Sequence, residues 1–233
     1  EGTFRKYHGI AGHEEYLDEC IEAAERFIDE SPYQIYKGSQ TPYRDLFSSN
    51  NAISTEVILA RDYEIGLNII HNANNYTLSN TYGMPGLNKK IVDSYLKADG
   101  SRFTDVPGYA TMEFYQEMQG RDPRLTQTVR GPGYTRIGQT DRLSPDFSCS
   151  TTGYQLTKWV TDPSQDGYNK SYNDIILFRA AEVYLNFAEA KAERGTLTQT
   201  DIDKSIKPIR DRVGMPNLDM EEANDNPDPY LTS

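Results

Sequence analysis

The chain is poor in the residues that most often announce chemistry. Its 233 residues hold two cysteines, three histidines and one tryptophan. Cys20 and Cys149 cannot build a disulfide framework or a metal knuckle, and both read as structural. His8, His13 and His71 have no ligand spacing. His13-Glu14 opens like a zinc-protease helix, but Leu17 stands where the second histidine belongs. No metal site is therefore expected. There is no G-x-S-x-G, phosphate loop or dinucleotide fingerprint, so no cofactor is expected either. Positive charge is scarce, with 24 Lys and Arg against 35 Asp and Glu and a net charge of −11. That balance excludes a basic face for nucleic acid or an anionic membrane surface. No stretch approaches the ~20 apolar residues of a membrane-spanning helix. The residues from Glu1 carry neither a basic-then-apolar leader nor a small-residue cleavage site, so a targeting signal is not expected within this chain.

Aromatic residues are what the sequence has in excess. They make up 11% of the chain, as 17 Tyr, 8 Phe and one Trp. Disordered chains are poor in such residues, so a folded protein is expected, with a modest core because the apolar fraction is only 36%. Tyrosine suits a surface that is both wet and adhesive.

The pattern is mainly helical. Leu17, Cys20, Ile21, Ala24, Phe27 and Ile28 share one face of a helix over Glu14–Glu30, ended by Ser31-Pro32. A Tyr-, Ser- and Asn-rich loop follows to about Asn51, and Val57–Ala60 reads as extended. Asn68–Gly86 reads as loop, and Asn88–Ala98 as a short helix with Ile91, Val92 and Tyr95 inward. Residues 101–173 are mostly irregular, with a helical turn at Tyr115–Met118 and a strand at Thr126–Arg130. Ile176, Ala180, Val183, Phe187 and Ala190 form a helical stripe, and Leu177, Ala181, Tyr184, Ala188 and Ala192 a second beside it. A helix apolar over so much of its circumference has to be packed on two sides. Gly195 ends it. Asp201 starts another helix with Ile202, Ile206, Ile209 and Val213 on one face, giving an αα-hairpin about the size of a tetratricopeptide repeat. The tail after Pro216 is acidic and cannot be a core element by itself. Asp162, Ser164, Asp166 and Gly167 imitate half of a calcium loop, but Asn173 replaces the bidentate glutamate, so a polar turn is expected.

Several segments, in order, resemble the SusD/RagB family of nutrient-binding lipoproteins of Bacteroidetes outer membranes. They are Tyr43-Arg-Asp-Leu-Phe47, Thr55-Glu-Val-Ile58, Ile91-Val-Asp-Ser-Tyr95 with Asp99-Gly100, and Arg121-Asp-Pro-Arg-Leu125 with Thr128-Val129. Then come Gly153-Tyr154 with Lys158-Trp159, the segment Ile175-Ile-Leu-Phe-Arg-Ala-Ala-Glu-Val-Tyr-Leu-Asn-Phe-Ala-Glu-Ala190, and Ile206–Pro216. Pro208 inside the last segment is a departure that predicts a kink or a shortened turn. The resemblance implies one partial family domain over residues 1–233. Its parts would be helical over 1–100, loop-rich over 101–173, a helical hairpin over 174–215 and an acidic tail over 216–233. The implied fold is mainly α, with tetratricopeptide-like hairpins, a long ligand-binding loop region and little β. The implied function is non-catalytic capture of an oligosaccharide, or less often a peptide, at the outer face of the outer membrane. Delivery would be to a SusC-type TonB-dependent transporter, and membrane attachment would be only through an N-terminal lipid anchor not carried by this chain. A helical-repeat scaffold without a small ligand is the competing reading. Glycoside hydrolysis, which needs only two suitably separated carboxylates, is the enzyme class the acids leave open, and it is set below binding.

Sugar recognition needs flat aromatic faces for pyranose rings and polar neighbours for the hydroxyls, since a desolvated polar group without a partner is costly. The loops from Gly108 to Val160 offer both. Tyr109 and Tyr134 are the leading stacking platforms, with Arg136 and Asp141 as polar partners and Phe147 and Trp159 as further rings. Tyr154 and Trp159 also belong to a family-like segment, where packing is the competing role.

Overall fold

A computed structural model describes residues 1–232. The first third of the chain contributes helices α1 (Gly2–Tyr7), α2 (His13–Glu30) and α3 (Pro42–Ser48) and strand β1 (Val57–Arg61). An excursion over residues 62–174 carries only short helices: α4 (Ala73–Leu78), α5 (Lys89–Ser94), α6 (Phe114–Glu117) and α7 (Pro123–Thr126). The chain then returns through β2 (Ile175–Arg179) into α8 (Ala180–Glu193) and α9 (Gln199–Asp211), ending in α10 (Met220–Asp225) and α11 (Pro229–Thr232). The fold is mainly helical, with one two-stranded sheet among the described residues.

Helix α8 lies between α2 and α9, as its apolar circumference requires. Ala180, Ala181 and Tyr184 pack with Ile35 and Ile209, and Phe27, Ile28 and Tyr33 close over them. Small alanines bring the helices near, and Phe187 fills the remaining gap with no exposed surface. Gly195 follows α8 at φ +70°, the left-handed conformation that ends a helix at little cost to glycine. Thr198 and Asp201 form a reciprocal capping box, so α9 begins at Gln199, before the expected Asp201. The helix continues through Pro208, which sits near its last turn.

Ile175–Arg179 is a strand, not the first turn of α8. It pairs antiparallel with Val57–Arg61, from Val57 opposite Arg179 to Arg61 opposite Ile175. The run Ile-Ile-Leu-Phe suits either period, and the open edge of β1 decides it. Arg179 stays extended, and the next amide, of Ala180, donates to the Glu56 carbonyl at 2.8 Å. Ile176 therefore packs with Leu46, Phe47 and Val57, while Leu177 and Phe178 are exposed.

Other short elements also depart from expectation. The loops expected before Asn51 and over 68–86 contain α3 and α4, and the helix expected over Asn88–Ala98 stops at Ser94 with Ile91 exposed. Thr126–Arg130 is no strand: α7 occupies its start, and Val129 makes only an isolated bridge to Leu156. The acidic tail forms α10 and α11, neither of which buries a residue.

One carboxylate ties three distant segments together. Glu56 is fully buried and accepts from the Tyr36 amide at 2.8 Å, from Arg179 at 2.7 Å and from Arg212 at 2.8 and 3.0 Å. A buried charge persists only when paired and hydrogen-bonded. The base of the excursion is closed by Asp174, whose carboxylate accepts the amides of Ala52 at 2.8 Å and Tyr63 at 3.1 Å.

Candidate functional site

The excursion has few long elements, so side chains hold its loops. Asn74 on α4 is fully buried. Its amide donates to Asp166 at 2.7 Å and accepts from the Thr161 amide at 3.3 Å. Arg136 grips the same loop from the other side, with Asp166 at 2.7 and 3.1 Å and the Thr161 carbonyl at 2.9 and 3.2 Å. His71 clamps the start of α4. Its Nε2 contacts the Asn173 carbonyl at 2.9 Å and its Nδ1 accepts the Ala73 amide at 3.2 Å, an arrangement that needs the neutral ring. Burial pushes the His71 pKa below its ordinary value.

These clamps leave aromatic rings exposed around α4. Tyr76, on the helix itself, meets Tyr82 edge-on at 5.5 Å, and both are exposed. At the start of the helix, Asn72 donates to Asn169 Oδ1 at 2.8 Å and accepts the Asn169 amide, pinning the turn that carries exposed Tyr168. At the end of the helix, the Cys149 thiol donates to the Leu78 carbonyl at 2.9 Å, pinning the turn that carries Phe147. Phe147 is 75% exposed, the most exposed large apolar side chain of the described residues. Its turn is rigid: the Ser148 amide and hydroxyl donate to Asp146 at 2.9 and 2.7 Å, which holds the Asp146 carboxyl below the usual carboxylate range. The Phe147 ring rests on Gly153, where φ is +81° and an added Cβ would stand 3.1 Å from the ring. Exposed rings thus sit on this six-residue helix, ~9 Å long at 1.5 Å per residue, and at both of its ends: Tyr168 at the start, Tyr76 with its partner Tyr82, and Phe147 at the close; together they are termed the α4 strip. Thr81, Asn80, Ser148 and Thr151 lie beside these rings in sequence, and all are exposed polar residues. Exposed rings held by fixed turns need little ordering to stack on a ligand.

Of the six residues singled out in the sequence, only Phe147 joins this strip. Tyr134 is buried at 8% exposure, with the Arg44 and Arg130 guanidinium groups 5.0 and 5.6 Å from its ring centre. That ring has no open face for a sugar. Burial also raises its pKa. Trp159 is half-buried, edge-on to Phe47 at 5.0 Å, and belongs to the Leu46–Phe47–Val57 core. Tyr109 is half-buried against Phe103 and Tyr230, at 5.9 and 6.1 Å. The donors of Arg136 are taken by Asp166 and Thr161. Asp141 is exposed. Tyr109 and Tyr134 share no hydrogen-bonding or ring partner among the described residues, so they do not form one platform. The Asp162 and Asp166 carboxylates are turned to different partners, the Ser164 amide and Arg136. Tyr76 and Tyr82 were missed because 68–86 reads as plain loop, and Tyr168 because it lies beyond the Gly108–Val160 loops. The available signal was tyrosine set among Asn and Gly turn formers, as in Asn75-Tyr76, Tyr82-Gly83 and Gly167-Tyr168-Asn169.

Among the described residues, no helix is long and apolar enough to cross a membrane. No curated protein matches the chain. By structure it is similar to a SusD-like carbohydrate binding protein from Bacteroides fragilis NCTC 9343, at 23% identity and a TM-score of 0.65 over 87% of this chain and 42% of that one. A SusD-like protein from the same strain gives 20% identity and a TM-score of 0.66 over 90% and 46%. Surface glycan-binding protein A from Bacteroides thetaiotaomicron gives 15% identity and a TM-score of 0.52 over 96% and 49%. The chain thus spans less than half the length of each, and at these identities the likeness is one of fold. The sequence itself matches the SusD family over residues 47–232, most of its length, and the helical fold agrees: this chain belongs to the SusD family.

Proposed function

We propose that the chain captures an oligosaccharide without cleaving it, using the aromatic strip along α4. The observation that carries this reading is four exposed rings on and around one short helix, two of them on turns pinned to its two ends. Exposed aromatic surface is retained where something covers it in use. Pyranose rings present C–H faces to such surfaces, and the adjacent hydroxyl and amide groups replace the water lost by the sugar hydroxyls. The carbohydrate-binding and glycan-binding names of the two Bacteroides structures support the same ligand class. As the family resemblance implies, the full protein would sit lipid-anchored on the outer face of the outer membrane and pass its load to a SusC-type TonB-dependent transporter.

Calorimetry or affinity electrophoresis against a panel of neutral glycans tests the reading. Binding of at least one oligosaccharide that weakens tenfold or more in the Tyr76→Ala/Phe147→Ala variant is the expected result. An unchanged affinity in that variant rejects the strip. Release of reducing ends from the bound glycan rejects the non-catalytic assignment.

A further inference from the structure

A second cleft does not contain the strip. It encloses about 900 Å³ between the Ser94–Arg102 segment, the end of α9 and the acidic tail, and none of the six sequence-selected residues lines it. Arg212 is buried and Arg102, Arg124, Arg179 and Arg210 are half-buried; of the acids on its wall Asp122 is buried and Asp228 half-buried, whereas Asp99, Asp105, Asp219 and Glu222 are exposed. Arg179 and Arg212 share the single carboxylate of Glu56, Arg124 is paired with Asp122 at 2.5 Å and Arg102 with Asp105 at 3.0 Å. Arg210 makes no ion pair among the described residues; it donates to the Pro216 carbonyl at 3.0 Å and feels the opposed charges of Arg124 and Asp122. Arg210 is thus the guanidinium of this wall left without a carboxylate of its own, in a chain whose net charge is −11. Arg212 Nε is buried without a partner, as is the amide oxygen of Asn217 on the same wall.

We infer that this cleft is a second binding site, selective for an acidic sugar residue such as a uronate. A carboxylate entering the interior meets an uncompensated, partly desolvated guanidinium, where a charge-assisted hydrogen bond is stronger than in water. The Tyr43, Ser94 and Ser101 side chains on the wall supply hydroxyl partners for the rest of the ring. The inference rests on the glycan reading but not on the aromatic strip.

Tri-galacturonate and its methyl ester share one sugar backbone and differ at the carboxyl groups, which are charged in the acid and neutral methyl esters in the other. Calorimetry on the unaltered chain is expected to show the acid binding at least tenfold more tightly than the ester, with the preference shrinking as salt is raised. Arg210→Gln should abolish the preference, and Tyr76→Ala/Phe147→Ala should leave it in place. Independently of any variant, tri-galacturonate should protect Arg210 and Arg124 of the unaltered chain from dicarbonyl labelling, read by peptide mass spectrometry. Equal affinity for acid and ester, a preference surviving in Arg210→Gln, protection confined to other arginines, or tighter binding of a tri-glutamate peptide would each overturn the site. Loss of the acid preference in Tyr76→Ala/Phe147→Ala would assign it to the strip instead. Failure of neutral glycans alone, with the acid preference intact, would instead reject the strip and keep the cleft.

Discussion

The α2–α8–α9 bundle and the 62–174 excursion solve the same problem with different means. The bundle is stabilised by burial: Phe187, Ala180, Ala181 and Ile202 have no exposed surface, and the helices present apolar faces at helical spacing. In the excursion the longest helix has six residues, too few to be stable alone. Its loops are fixed by buried polar side chains, among them Asn74, Gln165, Ser171 and Asn173, all fully buried. Directional bonds can hold a loop in one shape while leaving its rings in water, which hydrophobic burial cannot do. A site of exposed aromatics therefore belongs in the polar half.

Four measurements would break or sharpen this contrast. The largest effect is expected at the Glu56 joint, outside the excursion. Glu56→Ala leaves buried Arg212 and half-buried Arg179 without their counter-charge, and loss of one partner of a buried pair costs about 3–5 kcal/mol. Chemical denaturation should show that loss, and a change under 1 kcal/mol would mean that the joint is not what holds the segments. In the bundle, Phe187→Ala should cost ~3–5 kcal/mol with ligand affinity unchanged where the protein remains folded. In the excursion, Phe147→Ala should behave the opposite way. Stability should move by no more than ~0.5 kcal/mol, as for exposed sites, while glycan affinity falls severalfold. A large destabilisation there would make Phe147 a packing residue.

The smallest effect is a pH dependence at His71. Its folded-state pKa lies below the ordinary value because the ring is buried, so the unfolded chain takes up the proton first. The contribution of His71 is complete above its ordinary pKa of ~6.5 and declines as pH falls towards the depressed folded value. Denaturation midpoints should therefore fall between pH 7.5 and 5, and His71→Gln should flatten the slope. An unaltered slope would show that the clamp on α4 does not titrate.

The bundle was largely legible in the sequence because period and capping are local. Helix α2 begins at His13 against an expected Glu14, and Gly195 ends α8 as its position suggests. Ile175–Phe178 misled because an apolar run has no period of its own, and the partner that fixes it, Val57–Arg61, is far away in the chain. Helix α3 was illegible for a related reason: its first amides, of Tyr43 and Arg44, are satisfied by the Gln127 side chain at 3.0 and 3.1 Å. Four of the family-like segments supply joints of the fold. Glu56, Arg179 and Arg212 come from three of them. Arg121, from a fourth, is buried and caps the carbonyls of Val92, Tyr95 and Glu117 at 2.6, 2.9 and 2.9 Å. The candidate site escaped because a tyrosine's identity does not encode its exposure. Tyr134 and Tyr76 look alike in sequence, and Arg44 packing on the first makes the difference.

The small β1–β2 ribbon, with Asp174 stapling Ala52 and Tyr63, brings the departure and the return of the chain to one place. Residues 62–174 thereby leave and return through a single doorway, while Trp159 and Gln127 reach back to the Phe47 core and to the first amides of α3. A graft of the corresponding stretch from a relative would have to carry those two anchors with it, so the loops are free to vary only where they do not lean on the frame.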